Sequence, residues 1–76
     1  MTKLLSELLP GDKGVVVGIQ GKGMIQRRML DMGVVAGAVI EVQKFAPLGD
    51  PMEVKVKGFN LSLRKQEAQT IQVEVK

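Results

Sequence analysis

The sequence predicts one small, mostly β domain over residues 1–76, and three observations carry this prediction. A chain of 76 residues has room for only one compact core. Nine glycines lie between runs of alternating apolar and polar residues, which is typical of short strands joined by tight turns. Only one segment has the apolar spacing of a helix. Short strands in so small a chain bury one face by curling into a barrel.

The first strand is predicted over residues 14–20, after a turn at residues 10–12. Alternation along this strand predicts that Val15, Val17 and Ile19 face the core. The residues before the turn are expected to form only a short lead-in.

The helix is predicted over residues 24–32, where Ile25, Met29 and Met32 fall on one helical face. Gly33 follows at the position where helices commonly end in a left-handed residue. The helix therefore comes directly after the first predicted strand.

The next two predicted strands flank a loop at residues 46–51, which contains two prolines. Ile40 and Val42 face the core in the strand before the loop. Strict alternation over residues 52–57 predicts the strand after it, with one wet and one buried face.

The last two strands are predicted at residues 61–63 and 71–75, after a turn at residues 58–60. One helical turn over residues 64–69 separates them. The order β, α, β, β, β, β predicts a five-stranded SH3-like barrel with one short α-helix after the first strand. The OB-fold is the nearest alternative, but it usually carries its helix between the third and fourth strands.

The residue inventory argues against catalysis. The chain has no His and no Cys, so it lacks the imidazole base and the thiolate that many nucleophilic mechanisms use. The glycine-rich segment at residues 18–23 precedes the helix, as phosphate loops do, but its spacing fits neither a P-loop nor a dinucleotide fingerprint. We therefore predict no enzyme activity, no catalytic residue and no bound cofactor.

Metal binding would depend on carboxylate oxygens. Asp31, Glu41, Asp50 and Glu53 are the candidates, and they lack the spacing of a metal-binding motif. Methionines at helical spacing are typical of core packing. No dedicated metal site is predicted, and a weak divalent-cation site at Asp50 and Glu53 stays open as an alternative.

The charge pattern favours a solvated surface over a nucleic-acid interface. The formal charge of +3 comes from 11 basic and 8 acidic residues that are interleaved along the chain. Phe45 and Phe59 are the only aromatic residues, which makes a poor platform for stacking bases. No nucleic-acid partner is expected, and a small basic RNA-binding barrel is kept as an alternative.

Protein binding is therefore the predicted mode of action. Phe45 at a strand end, Leu48 in the loop and Phe59 in a predicted turn are candidates for an apolar contact patch. Arg27 and Arg28 are added because guanidinium groups on the helix have the reach to contact a partner.

The hydropathy pattern predicts a cytoplasmic protein that meets a membrane only through a partner. Ser6 and Glu7 interrupt the first apolar stretch, so no secretory signal is expected. Nowhere do about 18 apolar residues run together, which is the length that a membrane-spanning helix needs.

Several segments in this order resemble the FeoA family. They are Pro10-Gly11, Arg28-Met-Leu-Asp-Met-Gly33, Gly37, Ala46-Pro47-Leu48-Gly49-Asp50-Pro51, Leu61-Ser-Leu-Arg64, Glu67-Ala68 and Ile71-Gln-Val73. Each segment alone is common, but the ordered set covers nearly the whole chain and is specific.

The resemblance implies an SH3-like barrel in the cytoplasm that assists FeoB, the membrane ferrous-iron transporter with a GTPase domain. The same fold ends the DtxR-type metal-dependent repressors, and the chain lacks their helical DNA-binding and metal-sensing segments. A whole repressor is therefore not expected. A regulatory module that responds to Fe²⁺ or another divalent cation is the alternative that the iron pathway suggests.

Overall fold

The mostly β class is confirmed by a computed structural model, which describes residues 1–21 and 23–76. Six strands replace the predicted five. The elements are β1 (Thr2–Leu4), a 3₁₀ turn (Leu5–Glu7), β2 (Lys13–Ile19), α1 (Met24–Asp31), β3 (Val39–Phe45), β4 (Met52–Val56), β5 (Phe59–Leu63), α2 (Lys65–Ala68) and β6 (Ile71–Val75). The glycine-rich connection predicted at residues 18–23 includes Lys22, which lies outside the described residues.

The six strands form one antiparallel sheet in the order β1-β6-β2-β3-β4-β5. One face of the sheet carries most of the core. Its fully buried side chains are Val16, Ile40, Val42, Val54, Val56, Leu63, Ile71 and Val73. Because only short helices accompany this single sheet, the sheet has to curl around its own buried face. Met29 of α1 is buried in the same core.

The N-terminal segment is more structured than predicted. The short strand β1 pairs with β6, and Leu4 lies opposite Gln72. Leu5 and Leu8 are fully buried behind it. The expected lead-in turn is therefore wrong, and α1 follows the second strand of the molecule. A three-residue strand is too short for a period-2 pattern to show, and its pairing partner lies at the far end of the chain.

The inward face of β2 also differs from the prediction. Val16 is fully buried, whereas Val17 is about half exposed and Val15 is only partly buried. Ile19 packs against the core as predicted. The inward assignment of Val15 and Val17 is therefore wrong.

A β-bulge explains this difference. The register between β2 and β6 shifts between Val16 and Gly18, so strict alternation fails across Val17. Gly14 takes the inward position before Val16, where an added Cβ would lie 3.0 Å from the Cβ of Val73. Three consecutive valines look alike in the sequence, and the apolar pattern cannot mark the extra residue.

Helix α1 matches its prediction. Met29 is fully buried, and Ile25 and Met32 pack against the core from the same face. Gly33 has a φ of 86°, and the next N–H, that of Val34, donates to the carbonyl of Met29 at 2.9 Å. This bond satisfies one of the carbonyls at the end of the helix.

The hairpin between β4 and β5 turns earlier than predicted. Lys57 and Gly58 both have positive φ, 53° and 86°, and Val56 pairs with Phe59 across the turn. Two left-handed residues are the signature of a type I′ turn. Phe59 therefore begins β5 and does not lie in the turn.

Candidate protein-docking surface

The loop between β3 and β4, residues 46–51, is held by its own backbone. The N–H of Ala46 donates to the carbonyl of Pro51 at 2.9 Å, and that of Gly49 donates to the carbonyl of Ala46 at 2.7 Å. Leu48 at the tip is 95% exposed. The loop therefore presents an apolar side chain to solvent from a closed backbone ring.

One hydrogen bond ties this loop to α2. The backbone N–H of Lys65 donates to Oδ1 of Asp50 at 2.9 Å. This N–H belongs to the first turn of α2, where backbone donors have no partner within the helix. The charged acceptor satisfies it and fixes the loop against the start of α2.

A second connection ties α2 to α1 through Glu67, which is only 4% exposed. Its Oε1 accepts the backbone N–H of Arg64 at 2.9 Å, and its Oε2 lies 3.2 Å from Nη1 of Arg28. Both carboxylate oxygens are partnered, as burial of a charge requires. The side chain of Arg28 remains about half exposed and so also faces solvent.

A cleft of about 310 Å³ lies between the loop and α2. Its lining residues are Asp50, Arg64, Lys65, Gln66 and Gln69. The sequence predicted α2 as a helical turn but gave no signal that it faces the loop, because the Asp50–Lys65 contact is long-range. We call residues 45–51 together with 64–69 the loop end of the molecule.

The structure separates the five residues predicted for partner binding. Phe45 is half-buried at the end of β3, where it pairs with Met52, and it shares the loop end with Leu48. Phe59 is 73% exposed and pairs with Val56 at the other end of β4. Four residue steps of a strand place these two ends about 13 Å apart. We call residues 56–59 the hairpin end.

The two arginines lie on α1. Arg28 is joined to the loop end through Glu67. Arg27 is exposed, and the ion pairs of the described residues do not include it. Three of the five predicted residues, Phe45, Leu48 and Arg28, are thus on or connected to the loop end. Arg27 shares only the helix with Arg28, and Phe59 lies at the hairpin end.

Two of the four carboxylates considered for metal binding have other partners. Glu53 pairs with Nζ of Lys44 at 3.4 Å, and Asp50 accepts the bond from Lys65. Within residues 1–21 and 23–76, no three carboxylates are grouped so as to hold a metal ion. Over the same residues, no helix has both the length and the apolar character to cross a membrane.

Comparison with known protein families identifies the family of this chain. The FeoA domain model matches residues 3–75. The chain belongs to the FeoA family. A crystal structure of an iron uptake regulatory protein, FeoA, is 34% identical, with 100% of both chains covered and a TM-score of 0.91. A FeoA-like protein from Clostridium acetobutylicum is 40% identical over 97% of this chain and 86% of that one, with a TM-score of 0.91.

Two further relatives identify the fold as SH3-like and show FeoA joined to FeoB in one protein. FeoA from Stenotrophomonas maltophilia, complexed with zinc and described as an SH3 domain protein, is 32% identical over 97% of this chain and 89% of that one, with a TM-score of 0.82. The predicted SH3-like fold is therefore confirmed. A FeoA/FeoB fusion protein from Porphyromonas gingivalis is 44% identical over 71 residues, which are 93% of this chain and 8% of the fusion protein. A manganese-dependent repressor, 21% identical with a TM-score of 0.91, shares the fold alone.

Proposed function

We propose that this FeoA-family chain is an accessory or regulatory protein of bacterial ferrous-iron uptake that docks on the cytoplasmic side of FeoB. The supporting observation is the Porphyromonas gingivalis relative, in which FeoA and FeoB sequences form one polypeptide. A covalent link holds two modules at a high effective concentration, which favours their association. A FeoA domain that is not joined to FeoB would need a binding surface of its own for this association.

In this role the domain binds a partner protein and does not catalyse a reaction. The chain has neither His nor Cys. An SH3-like fold does not by itself specify a function, so the function is inferred from the surfaces and partners of the domain.

We place the docking contact at the loop end. Leu48 supplies an exposed apolar anchor, with Phe45 at its base. On the adjoining helix α1, Arg27 and Arg28 supply guanidinium groups, which are enriched among the residues that dominate binding energy. Phe59, at the hairpin end, is the matched comparison because it is also a large exposed apolar side chain.

Two measurements test the proposed function. Deletion of the gene should slow ferrous uptake under anaerobic iron limitation, and the wild-type gene should restore it. The purified chain should retain FeoB from the same organism after solubilisation in detergent. Unchanged uptake together with no detectable association would contradict the proposal.

A metal-responsive role is the second candidate, and the zinc-bound relative from Stenotrophomonas maltophilia favours it. Here Fe²⁺ or another divalent cation would bind Asp50 and Glu53 and alter docking. Anaerobic calorimetry with Fe²⁺ should then give a saturable heat that Asp50→Asn reduces. A flat titration of the wild-type chain removes this candidate.

A further inference from the structure

We propose that the cleft between the β3–β4 loop and α2 recognises a carboxylate side chain in an extended acidic segment of a partner protein. The inference depends on the proposed function only for the identity of that partner. None of the cleft residues was predicted from the sequence as a partner contact.

The charges of the cleft lining favour an anionic ligand. Arg64 and Lys65 are exposed, and the ion pairs of the described residues include neither side chain. Asp50 is the one carboxylate in the lining, and its Oδ1 already accepts the N–H of Lys65. Two cations therefore face one anion that is partly engaged. The planar guanidinium of an arginine matches a carboxylate with two parallel hydrogen bonds.

The mixture of hydrogen-bond donors and acceptors in the lining favours a peptide segment. Gln66 and Gln69 each provide an amide donor and an amide acceptor, and Oδ2 of Asp50 is a further acceptor. A peptide segment presents both backbone N–H groups and carboxylates, so it suits such a lining. A phosphate monoester carries a charge of about −1.5 to −2 at pH 7, so Asp50 repels it more strongly than it repels a singly charged carboxylate. An RNA strand also prefers aromatic stacking, which these lining residues do not provide.

The cleft is rigid and large enough to bind a side chain of a partner segment. The loop ring and the bond between Asp50 and Lys65 hold its two walls in place, which lowers the entropy cost of binding. A volume of about 310 Å³ lies at the lower end of ligand pockets, roughly 300–1,000 Å³. Leu48 projects from the same loop two residues before Asp50. The fitting segment therefore has an acidic residue beside an apolar one.

The test uses a synthetic, end-capped nonapeptide with a central Leu-Glu-Glu-Leu core and Ser and Gly flanks. It is titrated into the ¹⁵N-labelled chain and followed by NMR. We expect saturable chemical-shift changes at residues 64–69 and 48–50, and added salt should weaken the binding of the peptide. The same peptide with both Glu replaced by Lys should bind far more weakly.

Paired variants test the assignment to the cleft. Arg64→Gln with Lys65→Gln lowers the formal charge by two, from +3 to +1, and should weaken peptide binding about tenfold or more. Lys3→Gln with Lys13→Gln makes the same charge change on β1 and β2 and should weaken it less than threefold. Circular dichroism checks folding, and Lys65→Gln alone serves if the double variant unfolds.

Several results would overturn the inference. They are absence of peptide binding, shifts confined to other residues, equal weakening by both double variants, or tighter binding of inorganic phosphate or an oligouridine RNA than of the peptide. FeoB association separates this inference from the proposed function. If FeoB binds the Arg64 and Lys65 double variant as tightly as wild type, the inference fails and the function stands. If the peptide binds the cleft and FeoB does not bind the chain, the function fails and the inference stands.

Discussion

The two ends of the β4–β5 strand pair are built in different ways. At the hairpin end, two left-handed residues, Lys57 and Gly58, close the turn between neighbouring strands. At the loop end, the 46–51 loop is fixed by Asp50, which is bonded to Lys65, and α2 is fixed in turn by Glu67. A short stretch of chain therefore determines the hairpin end, and long-range polar contacts determine the loop end.

The two ends differ in how much surface they can offer to a partner. A two-residue turn leaves little surface to shape, and Phe59 is its one large exposed apolar side chain. The loop end brings together segments that are distant in sequence, and it forms a cleft with charged walls. The loop end is therefore also the region that single substitutions should disturb most.

The largest expected effect is at Glu67. Glu67→Ala removes the acceptor of the Arg64 N–H and the partner of Arg28, and it should lower the free energy of unfolding by about 2–4 kcal/mol. Urea unfolding measures this change. Glu67→Gln keeps an acceptor and should cost less. A loss below about 0.5 kcal/mol for the alanine variant, the range of ordinary surface changes, would show that this junction is not structurally important.

The next effect is at the hairpin end. Gly58 has a φ of 86°, and a Cβ there would meet no atom within 4 Å, so Gly58→Ala tests backbone conformation alone. It should lower stability by about 1–2 kcal/mol. NMR shifts should change at the turn and stay unchanged in the cleft. Changes in the cleft as large as those at the turn would show that the two ends are not independent.

A smaller effect is expected at Asp50. Asp50→Ala removes the acceptor that holds the start of α2, and it should cost about 0.5–1 kcal/mol because the site is exposed to water. The amide of Lys65 should then exchange its hydrogen faster, while the amide of Phe59 serves as the control. Equal exchange at Lys65 in both proteins would contradict the tie between loop and helix.

The smallest effect concerns Glu74, which lies on β6, away from both ends. The ammonium group of Met1 and the hydroxyl of Thr2 both donate to its carboxylate at 2.8 Å, and they hold its pKa below the ordinary value. A lowered pKa contributes stability above the ordinary pKa, and this contribution is lost as the pH falls through the lowered value. A carbon NMR titration should show that Thr2→Ala raises the pKa of Glu74. An unchanged titration curve in that variant would contradict the role of the hydroxyl.

Much of the fold was predictable because its signals are periodic. The buried positions of β4 and the inward face of α1 follow from spacing alone. The bulge at Val17 was not predictable, because three adjacent valines carry no mark of the register shift. Strand β1 was missed because three residues show no period and their partner is β6, at the other end of the chain.

The candidate site was predictable in part. Exposure of Leu48 in a proline-containing loop was a sound expectation, and the structure places that side chain at the tip. The cleft was not predictable, because Arg64 and Lys65 read as ordinary charged residues of a surface turn. The sequence also grouped Phe59 with the loop residues, since linear order does not show that β4 separates them.

Docking through the loop end is tested by the binding of detergent-solubilised FeoB to two matched variants. Leu48→Ser and Phe59→Ser each remove one large exposed apolar side chain, and each should change stability by less than about 0.5 kcal/mol. If the loop end docks on FeoB, Leu48→Ser should weaken binding about tenfold and Phe59→Ser less than twofold. Weakening by Phe59→Ser alone, or wild-type affinity in both variants, would contradict docking through the loop end.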